Sequence, residues 1–184
     1  MGIIVCGLNG AGKSTFGKAL AEKLHFHFID IENIYFPNTN PDFKYDSPHT
    51  HEEVEMTLLH EIKMHKNFIL ASVKGDYGED ICSFFQYAIL LDVPRDIRLQ
   101  RVKERSFQNF GCRMLLGGDL FEQEEKFFHF VEFRNENTVE EWVKSLKCPV
   151  IRIDGTKPID VNTNFIIERL QNTNLIVKEV GNNE

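Results

Sequence analysis

The sequence lacks several features that would place it in a membrane, in a disulfide-rich class or in a zinc-finger class. It contains no apolar run near the roughly 20 residues that a membrane-spanning helix needs. Its four cysteines, Cys6, Cys82, Cys112 and Cys148, are far apart and form no CxxC pair. This spacing is typical of reduced thiols, which favours a cytoplasmic protein. The N-terminal residues carry a glycine-rich motif, so we expect no signal peptide.

Positive charge and histidine motifs are also scarce. Lys and Arg number 21 against 28 Asp and Glu, which gives a net charge of −7. An acidic surface argues against general binding of nucleic-acid polymers or membranes. The seven histidines include no HExxH motif and no Cys/His pattern, so the spacing indicates no structural transition-metal site. A length of 184 residues with 42% apolar composition predicts one globular domain over 1–184, as a monomer or homodimer.

Short apolar runs alternate with helical patterns along the chain. Continuous apolar runs predict buried strands at 3–6, 26–29, 68–73, 88–93 and 149–153. Apolar residues at helical spacing predict helices at 14–24, 52–66, 95–105 and 162–171. The alternation predicts an α/β fold of three layers, in which helices cover both faces of a five-stranded parallel sheet.

Two segments do not fit this alternation. Residues 31–66 begin with a proline-containing loop, and residues 106–147 begin near a glycine-containing loop and continue into further helices. Both adjoin carboxyl ends of strands or helix ends beside them, and in open α/β sheets ligands bind at that edge. We therefore expect an acceptor-binding flap over about 31–66 and a closing lid over about 106–147.

The strongest motif follows the first predicted strand. It reads Gly7-Leu8-Asn9-Gly10-Ala11-Gly12-Lys13-Ser14, which matches GxxxxGK[ST] without a substitution. Glycines let backbone N–H groups surround phosphate oxygens, and the following helix directs its positive end at the same anion. The motif predicts ATP bound by its lysine, with Mg²⁺ on its serine. The predicted nucleotide-binding residues here are Gly7, Asn9, Gly10, Ala11, Gly12, Lys13, Ser14 and Thr15.

With this loop the chain resembles the nucleoside and nucleotide kinases of the P-loop phosphotransferases, which include adenylate, shikimate, gluconate and dephospho-CoA kinases. Asp30-Ile31-Glu32 looks like the DxD of the shikimate-kinase-like members. The segment 93–105 looks like the arginine-bearing helix that enters the lid, and 153–158 looks like the loop beside adenine. The resemblance covers most of the chain and implies ATP-dependent phosphoryl transfer.

The resemblance also implies roles for particular residues. Arg105 and Arg113 are expected to clamp the transferring phosphate together with the catalytic Lys13, and Arg101 and Arg134 to support them on the nucleotide and substrate sides. The alternative for these arginines is a solvated basic face. On the adenine loop the expected nucleotide contacts are Gly155, Thr156 and Pro158.

Asp30 and Glu32 lie two residues apart after the second predicted strand, so both can face one side. We expect Asp30 to orient or deprotonate the acceptor hydroxyl or to hold Mg²⁺, with Glu32 as its helper. The third predicted strand contains no acidic residue that could replace Asp30 on the metal. The alternative is that Asp30 caps a turn and Glu32 is solvated.

The acceptor is harder to predict. Lys74 and Gly75, in the glycine-containing loop after the third strand, are predicted to contact it, and Asp76 could do so too, although a plain turn is the alternative. Four aromatic residues could line an apolar pocket for the acceptor or could belong to the hydrophobic core: Phe36, Phe43, Tyr45 and Phe84. The flap has seven acidic residues, three lysines and no arginine, which disfavours a strongly anionic acceptor. We expect a nucleoside, polyol or amino-alcohol. The alternatives are a nucleoside monophosphate kinase and an ATP-binding regulatory NTPase module.

Overall fold

The computed structural model describes residues 1–37 and 48–172. Its strands are β1 (Gly2–Cys6), β2 (His27–Asp30), β3 (Phe68–Ala71), β4 (Phe85–Asp92) and β5 (Val150–Asp154). Its α-helices are α1 (Lys13–Leu24), α2 (Ile31–Tyr35), α3 (His51–Met64), α4 (Gly78–Ser83), α5 (Arg95–Phe110), α6 (Phe121–Phe133), α7 (Asn137–Ser145) and α8 (Ile159–Asn172), and a 3-10 helix spans Gly111–Met114. No helix in these ranges is both long enough and apolar enough to cross a membrane.

The strands form one parallel sheet in the order β2-β3-β1-β4-β5. β1 is central because Ile3, Ile4 and Val5 are apolar on both faces, and all three are fully buried. The chain leaves β1 between its neighbours β3 and β4, where the order of the sheet reverses. A parallel sheet has its ligand crevice at such a point, so the topology places the glycine-rich loop at the expected position.

Each face of the sheet carries its own apolar core. On one face α1 and α8 cover the sheet through residues such as Phe16, Leu20 and Ile166. On the other face α3, α4 and α7 pack against it through residues such as Leu58 and Val143. Two layers of helices around a five-stranded parallel sheet confirm the predicted fold class.

A third, smaller core lies away from the sheet. It joins the second half of α5, the 3-10 helix and α6 through Val102, Phe110, Met114, Phe128 and Val131. This unit contains the first part of the segment predicted as a lid, 106–147. The last part of that segment, α7, instead packs its apolar side on the main sheet through Val139 and Val143.

The elements differ from the predicted ones mainly at their ends. α5 continues five residues beyond Arg105, and β4 begins at Phe85, before the predicted start at Ala88. The short helices α2 and α4 were not predicted, because six or fewer residues give too little helical periodicity to recognise. α3 lies where expected, and a capping box between Thr50 and Glu53 fixes its start.

Candidate active site

The glycine-rich loop has the backbone conformation that phosphate binding requires. Gly10 and Gly12 have φ values of 80° and 90°, which other residues rarely adopt. α1 begins directly afterwards at Lys13, and no side chain caps its N-terminus. The first N–H groups of the helix therefore point towards the space above the loop, where an anion can accept from them.

The loop rests on a buried arginine that sequence reasoning did not single out. Arg98 is 2% exposed and donates to the carbonyl oxygens of Val93 and Asn9 and to the Glu136 carboxylate. A side chain at Gly10 would bring its Cβ to 2.3 Å from the Arg98 carbonyl oxygen. Arg98 therefore supports the loop from the side of Glu136, whereas Arg101 and Arg105, further along α5, line the cavity on the other side of the loop.

Lys13 lies within the loop, and its ammonium group donates to the Leu8 carbonyl oxygen at 3.2 Å. Burial lowers the pKa of Lys13 to about 8, opposed by the charges of Glu32 and Asp30 and assisted by that of Arg105. A partly desolvated ammonium gains from an anion placed against it. The site is thus suited to a phosphate group at Lys13.

The loop forms one wall of a cavity of about 380 Å³, which we call the loop cavity. Its other wall comes from α5 and from the turn after β5. The guanidinium group of Arg101 donates twice to the Gly155 carbonyl oxygen, both at 3.2 Å. The predicted nucleotide residues that line this cavity are Asn9, Gly10, Ala11, Gly12, Lys13, Ser14, Arg101 and Gly155, together with Thr15.

Three predicted nucleotide contacts lie outside the lining of the loop cavity. Gly7 is part of the loop, but its N–H donates to the Val73 carbonyl oxygen at 3.3 Å. Thr156 donates through its amide and hydroxyl to Asp154, because the turn after β5 closes on itself there. Pro158 precedes α8, whose residues Ile159 and Asn162 line the cavity instead.

A second cavity, of about 510 Å³, adjoins the first. We call it the aromatic cavity because the rings of Tyr35, Phe36, His51, Tyr77 and Phe127 line it. The His51 ring stacks on Tyr77 with centroids 5.6 Å apart, and the Tyr77 hydroxyl lies 3.0 Å from that of Ser72. Burial raises the pKa of Tyr77, so its hydroxyl stays protonated.

The two cavities meet at Asn9, Glu32 and Arg105, which line both. Arg105 Nη1 lies 3.8 Å from Glu32 Oε2. Arg134, from the end of α6, donates to the Asn9 side chain at 2.7 Å and lines the aromatic cavity. Burial and the nearby Arg98 lower the pKa of Arg134. The junction therefore carries two guanidinium groups beside the phosphate loop.

The predicted carboxylates take different positions. Asp30 caps α2, and its Oδ1 accepts from the Glu32 amide at 3.1 Å. Glu32, on the first turn of α2, lines both cavities, whereas the lining of neither includes Asp30. One oxygen of Asp30 therefore has the capping role that the alternative prediction gave it. Glu32, which the same alternative predicted to be solvated, lines the two cavities.

Some predicted site residues are not brought to either cavity. Arg113, in the 3-10 helix, pairs with Asp119, with Nη2 to Oδ2 at 2.7 Å. Gly75 packs against Ile4, Phe85 and Trp142, where an added Cβ would lie 2.7–3.0 Å from their side chains. The loop after β3 turns Gly75 inwards onto the core, which explains why it does not face the cavity.

The remaining acceptor-side predictions divide between the aromatic cavity and the core. Lys74 and Asp76 line the aromatic cavity and pair with each other at 2.6 Å. Phe36 lines it, whereas Phe84 packs on the core of the sheet. The predicted pocket residues Phe43 and Tyr45 lie outside the described residues.

The aromatic cavity also holds polar groups that sequence reasoning missed. Ser72 and Tyr77 follow β3, so the rule that ligands bind at carboxyl ends of strands could have found them. Gln123, Glu124 and Phe127 come from α6, whose sequence carries no motif. Glu124 is 3% exposed, and its Oε2 has no hydrogen-bond partner among the described residues.

The residues near Lys13 fit a magnesium ion by the chemistry of their donors. Mg²⁺ takes oxygen ligands and keeps several of its waters. The Ser14 hydroxyl lines the loop cavity, and the carboxylates of Asp30 and Glu32 are close enough to Lys13 to stabilise its charge. Ser14 could therefore bind the ion directly, and the carboxylates could bind it through water.

Comparison with known proteins identifies the family. The family sequence model described as "AAA domain" matches residues 3–111, more than half of the chain, and this range includes the glycine-rich loop and most of α5. The chain belongs to this P-loop family. It is 27% identical over 176 residues to "Uncharacterized protein YqaC" of Bacillus subtilis strain 168, which covers 91% of this chain and 96% of that protein.

Kinases are among the other proteins that this chain resembles. Shikimate kinase of Bacteroides fragilis is 34% identical over 77 residues, which are 40% of this chain and 43% of that enzyme. A structure of shikimate kinase from Acinetobacter baumannii in complex with shikimate shares the fold, with a TM-score of 0.57 and 20% identity over 96% of this chain and 95% of that one.

A structure of deoxyadenosine kinase from M. mycoides, with products dCMP and dCDP bound, has a TM-score of 0.56 and 18% identity, over 94% of this chain and 100% of that one. These relatives confirm the predicted membership in the P-loop kinase superfamily and indicate a phosphotransferase.

Proposed function

We propose that this P-loop protein is an ATP-dependent kinase that transfers the γ-phosphoryl group to a hydroxyl of a small molecule of nucleoside, polyol or amino-alcohol type. The observation that carries the proposal is the junction of the two cavities. A phosphate held by the glycine-rich loop would have its outer end between Arg105 and Asn9, and the same residues line the aromatic cavity. An acceptor bound there would meet the phosphate directly.

The chain supplies positioning and charge at this junction. Phosphoryl transfer needs little covalent help from the protein, and it depends on cations around the migrating group and on orientation of the acceptor. Lys13 and Arg105 would stabilise charge on that group, and Arg134 would fix Asn9 and the end of the lid. Mg²⁺, when bound, neutralises charge on the β- and γ-phosphates. Asp30 or Glu32 would accept a hydrogen bond from the acceptor hydroxyl.

The lining of the aromatic cavity favours an acceptor without a phosphate group of its own. Among the described residues that line it, the one lysine, Lys74, is already paired with Asp76. The carboxylates in this described lining are those of Glu32, Asp76 and Glu124. A buried carboxylate oxygen without a partner favours a ligand that donates an N–H or O–H group to it. The aromatic rings that line the cavity favour an acceptor molecule that is flat or partly apolar.

Glu32 is the acidic residue of the predicted flap that the described residues place at the aromatic cavity, so the negative charge of the flap as a whole does not act on an acceptor there. Glu53 forms the capping box of α3, and Glu61 contacts His27 on a different side of the fold. Asp42 and Asp46 lie outside the described residues. A nucleoside monophosphate remains the second candidate acceptor because Arg134 lines the aromatic cavity and could bind a phosphate group.

A substrate panel tests the proposal. ATP-Mg²⁺ would be supplied with nucleosides, polyols, amino-alcohols and nucleoside monophosphates, and both ADP release and the phosphorylated product would be measured. We expect ADP release that depends on an acceptor without a phosphate. Lys13→Ala is the control and should abolish transfer while far-UV circular dichroism stays unchanged. Transfer to monophosphates alone, or ADP release that no acceptor accelerates, would refute the assignment.

A further inference from the structure

A cluster of metal-ligating side chains lies apart from both cavities. His27 is the first residue of β2, Glu61 lies in the last turns of α3, and His65 follows the end of α3. Their ligand atoms lie within 4.8 Å of one another. The phosphate loop follows the carboxyl end of β1, whereas this cluster lies at the amino end of β2. A strand of four residues, about 13 Å long, separates the two edges of the sheet.

We propose that His27, Glu61 and His65 form a binding site for one divalent transition-metal ion, with Zn²⁺ as the representative ion. The donor set is two imidazole nitrogens and one carboxylate oxygen, which are ligands that Zn²⁺ takes in proteins. Such sites keep a position for water beside three protein ligands. All three side chains are partly exposed, so water can reach the fourth position.

The distances in the cluster suit a shared ion. Glu61 Oε2 lies 3.0 Å from His27 Nε2 and 3.9 Å from His65 Nε2. Two ligand atoms that are each about 2.0–2.1 Å from a tetrahedral zinc ion lie about 3.3 Å apart. The observed distances bracket that value, so movements of a few tenths of an ångström would bring the atoms to bonding positions. The distance to His65 is longer than a hydrogen bond, so the carboxylate alone does not satisfy both rings.

The backbone holds the ligands together without the metal. Glu61 and His65 are four residues apart along one helical turn and its continuation, which places them on the same side of α3. The amide of His27 donates to the Asn67 carbonyl oxygen at 3.0 Å, which fixes β2 beside the turn that carries His65. The rings of His27 and His65 stack with centroids 3.5 Å apart. A bound ion would therefore join the edge strand β2 to the end of α3.

Zinc titration of the full-length, untagged protein tests the site. Isothermal titration and elemental analysis after dialysis should give one Zn²⁺ per chain. Loss of a hydrogen-bond partner of a metal ligand already weakens binding by about 10–100-fold, so His65→Ala and Glu61→Gln should weaken it by more than about 100-fold. His60→Ala is the matched control, because His60 is exposed on α3 next to Glu61 and outside the cluster.

Thermal unfolding gives a second measurement. Zn²⁺ should raise the Tm of the wild-type chain and of His60→Ala, because an ion that joins β2 to α3 binds only the folded chain. It should not raise the Tm of His65→Ala or Glu61→Gln. Lys13→Ala should bind Zn²⁺ as the wild type does, which separates this site from the proposed kinase site. Absence of stoichiometric binding in the wild type, or unchanged binding in both ligand variants, would overturn the proposal.

Discussion

Glu124 offers a test in which stability and function change in opposite directions. Its carboxylate is buried in the wall of the aromatic cavity, and Oε2 has no hydrogen-bond partner among the described residues. An unsatisfied buried polar group costs about 1–3 kcal/mol, and a charged one costs more. Glu124→Gln keeps the shape and removes the charge. Because the amide leaves a neutral polar group at the same place, only the extra cost of the charge is relieved, and we expect the free energy of unfolding of the ligand-free protein to increase by about 1 kcal/mol.

For a chain of this size, each kcal/mol changes Tm by about 2–4 °C, so the Tm of Glu124→Gln should increase by about 2–4 °C in calorimetry. Glu125→Gln is the control, because Glu125 is exposed on the same helix and its replacement should leave Tm unchanged. A Tm of Glu124→Gln equal to or below that of the wild type would contradict this prediction, because it would show that the carboxylate is satisfied in solution.

The same substitution should impair use of the acceptor. A hydrogen bond to a charged group contributes about 1.5–3 kcal/mol, which corresponds to about 10–150-fold in kcat/KM. The loss should appear with the acceptor found in the substrate panel, and the KM for ATP should remain unchanged because Glu124 does not line the loop cavity. An unchanged kcat/KM for the acceptor would place the substrate elsewhere in the cavity.

Three further predictions concern the loop, the carboxylate and the lid. ATP-Mg²⁺ affinity should be constant between about pH 7 and pH 8, where the phosphates are ionised, and fall about tenfold per pH unit above pH 8, because the pKa of Lys13 is about 8 and a bound phosphate raises it. Fluorescence titration checks this, and Lys13→Arg, charged throughout, should show no such fall. Asp30→Asn keeps a helix-capping oxygen but should lower kcat by about 10²–10⁴-fold. An unchanged kcat would transfer the role to Glu32. Amide hydrogen exchange over 106–134 should slow when a bisubstrate analogue binds, as in a closing lid, and unchanged exchange would indicate a rigid insertion.

Local sequence patterns predicted the framework of the fold. β1, β3 and the middle of β4 are buried, so their sequences are continuous apolar runs that can be recognised without any knowledge of their neighbours. The glycine-rich loop is equally local, because its strand, turn and helix are contiguous and its glycines are required by backbone conformation. Residues 7–15 could therefore be predicted as a unit.

Distant contacts decided the rest of the site. Arg98 and Arg105 lie on the same helix with the same charge, yet Arg98 is buried under the loop and Arg105 lines both cavities. They lie about two helical turns apart on nearly the same side of α5, so only the packing of the start of this helix against the loop buries Arg98 and leaves Arg105 at the cavities. Gly75 is a second example. The sequence predicts that it contacts the substrate, but it packs on the core, because the sequence of a turn does not show to which side of the chain each of its residues points.

The sequence by itself determined the fold class, the phosphate loop and the family, because each depends on residues that are adjacent in the chain. The tertiary structure alone brought Glu124 of α6 and Tyr35 of α2 into the lining of one cavity and brought His27 to Glu61 across 34 residues. These groups have no shared motif, because their proximity arises from the packing of separate elements on a common sheet. Spacing along the chain cannot encode a contact of that kind, whereas folding brings the groups together.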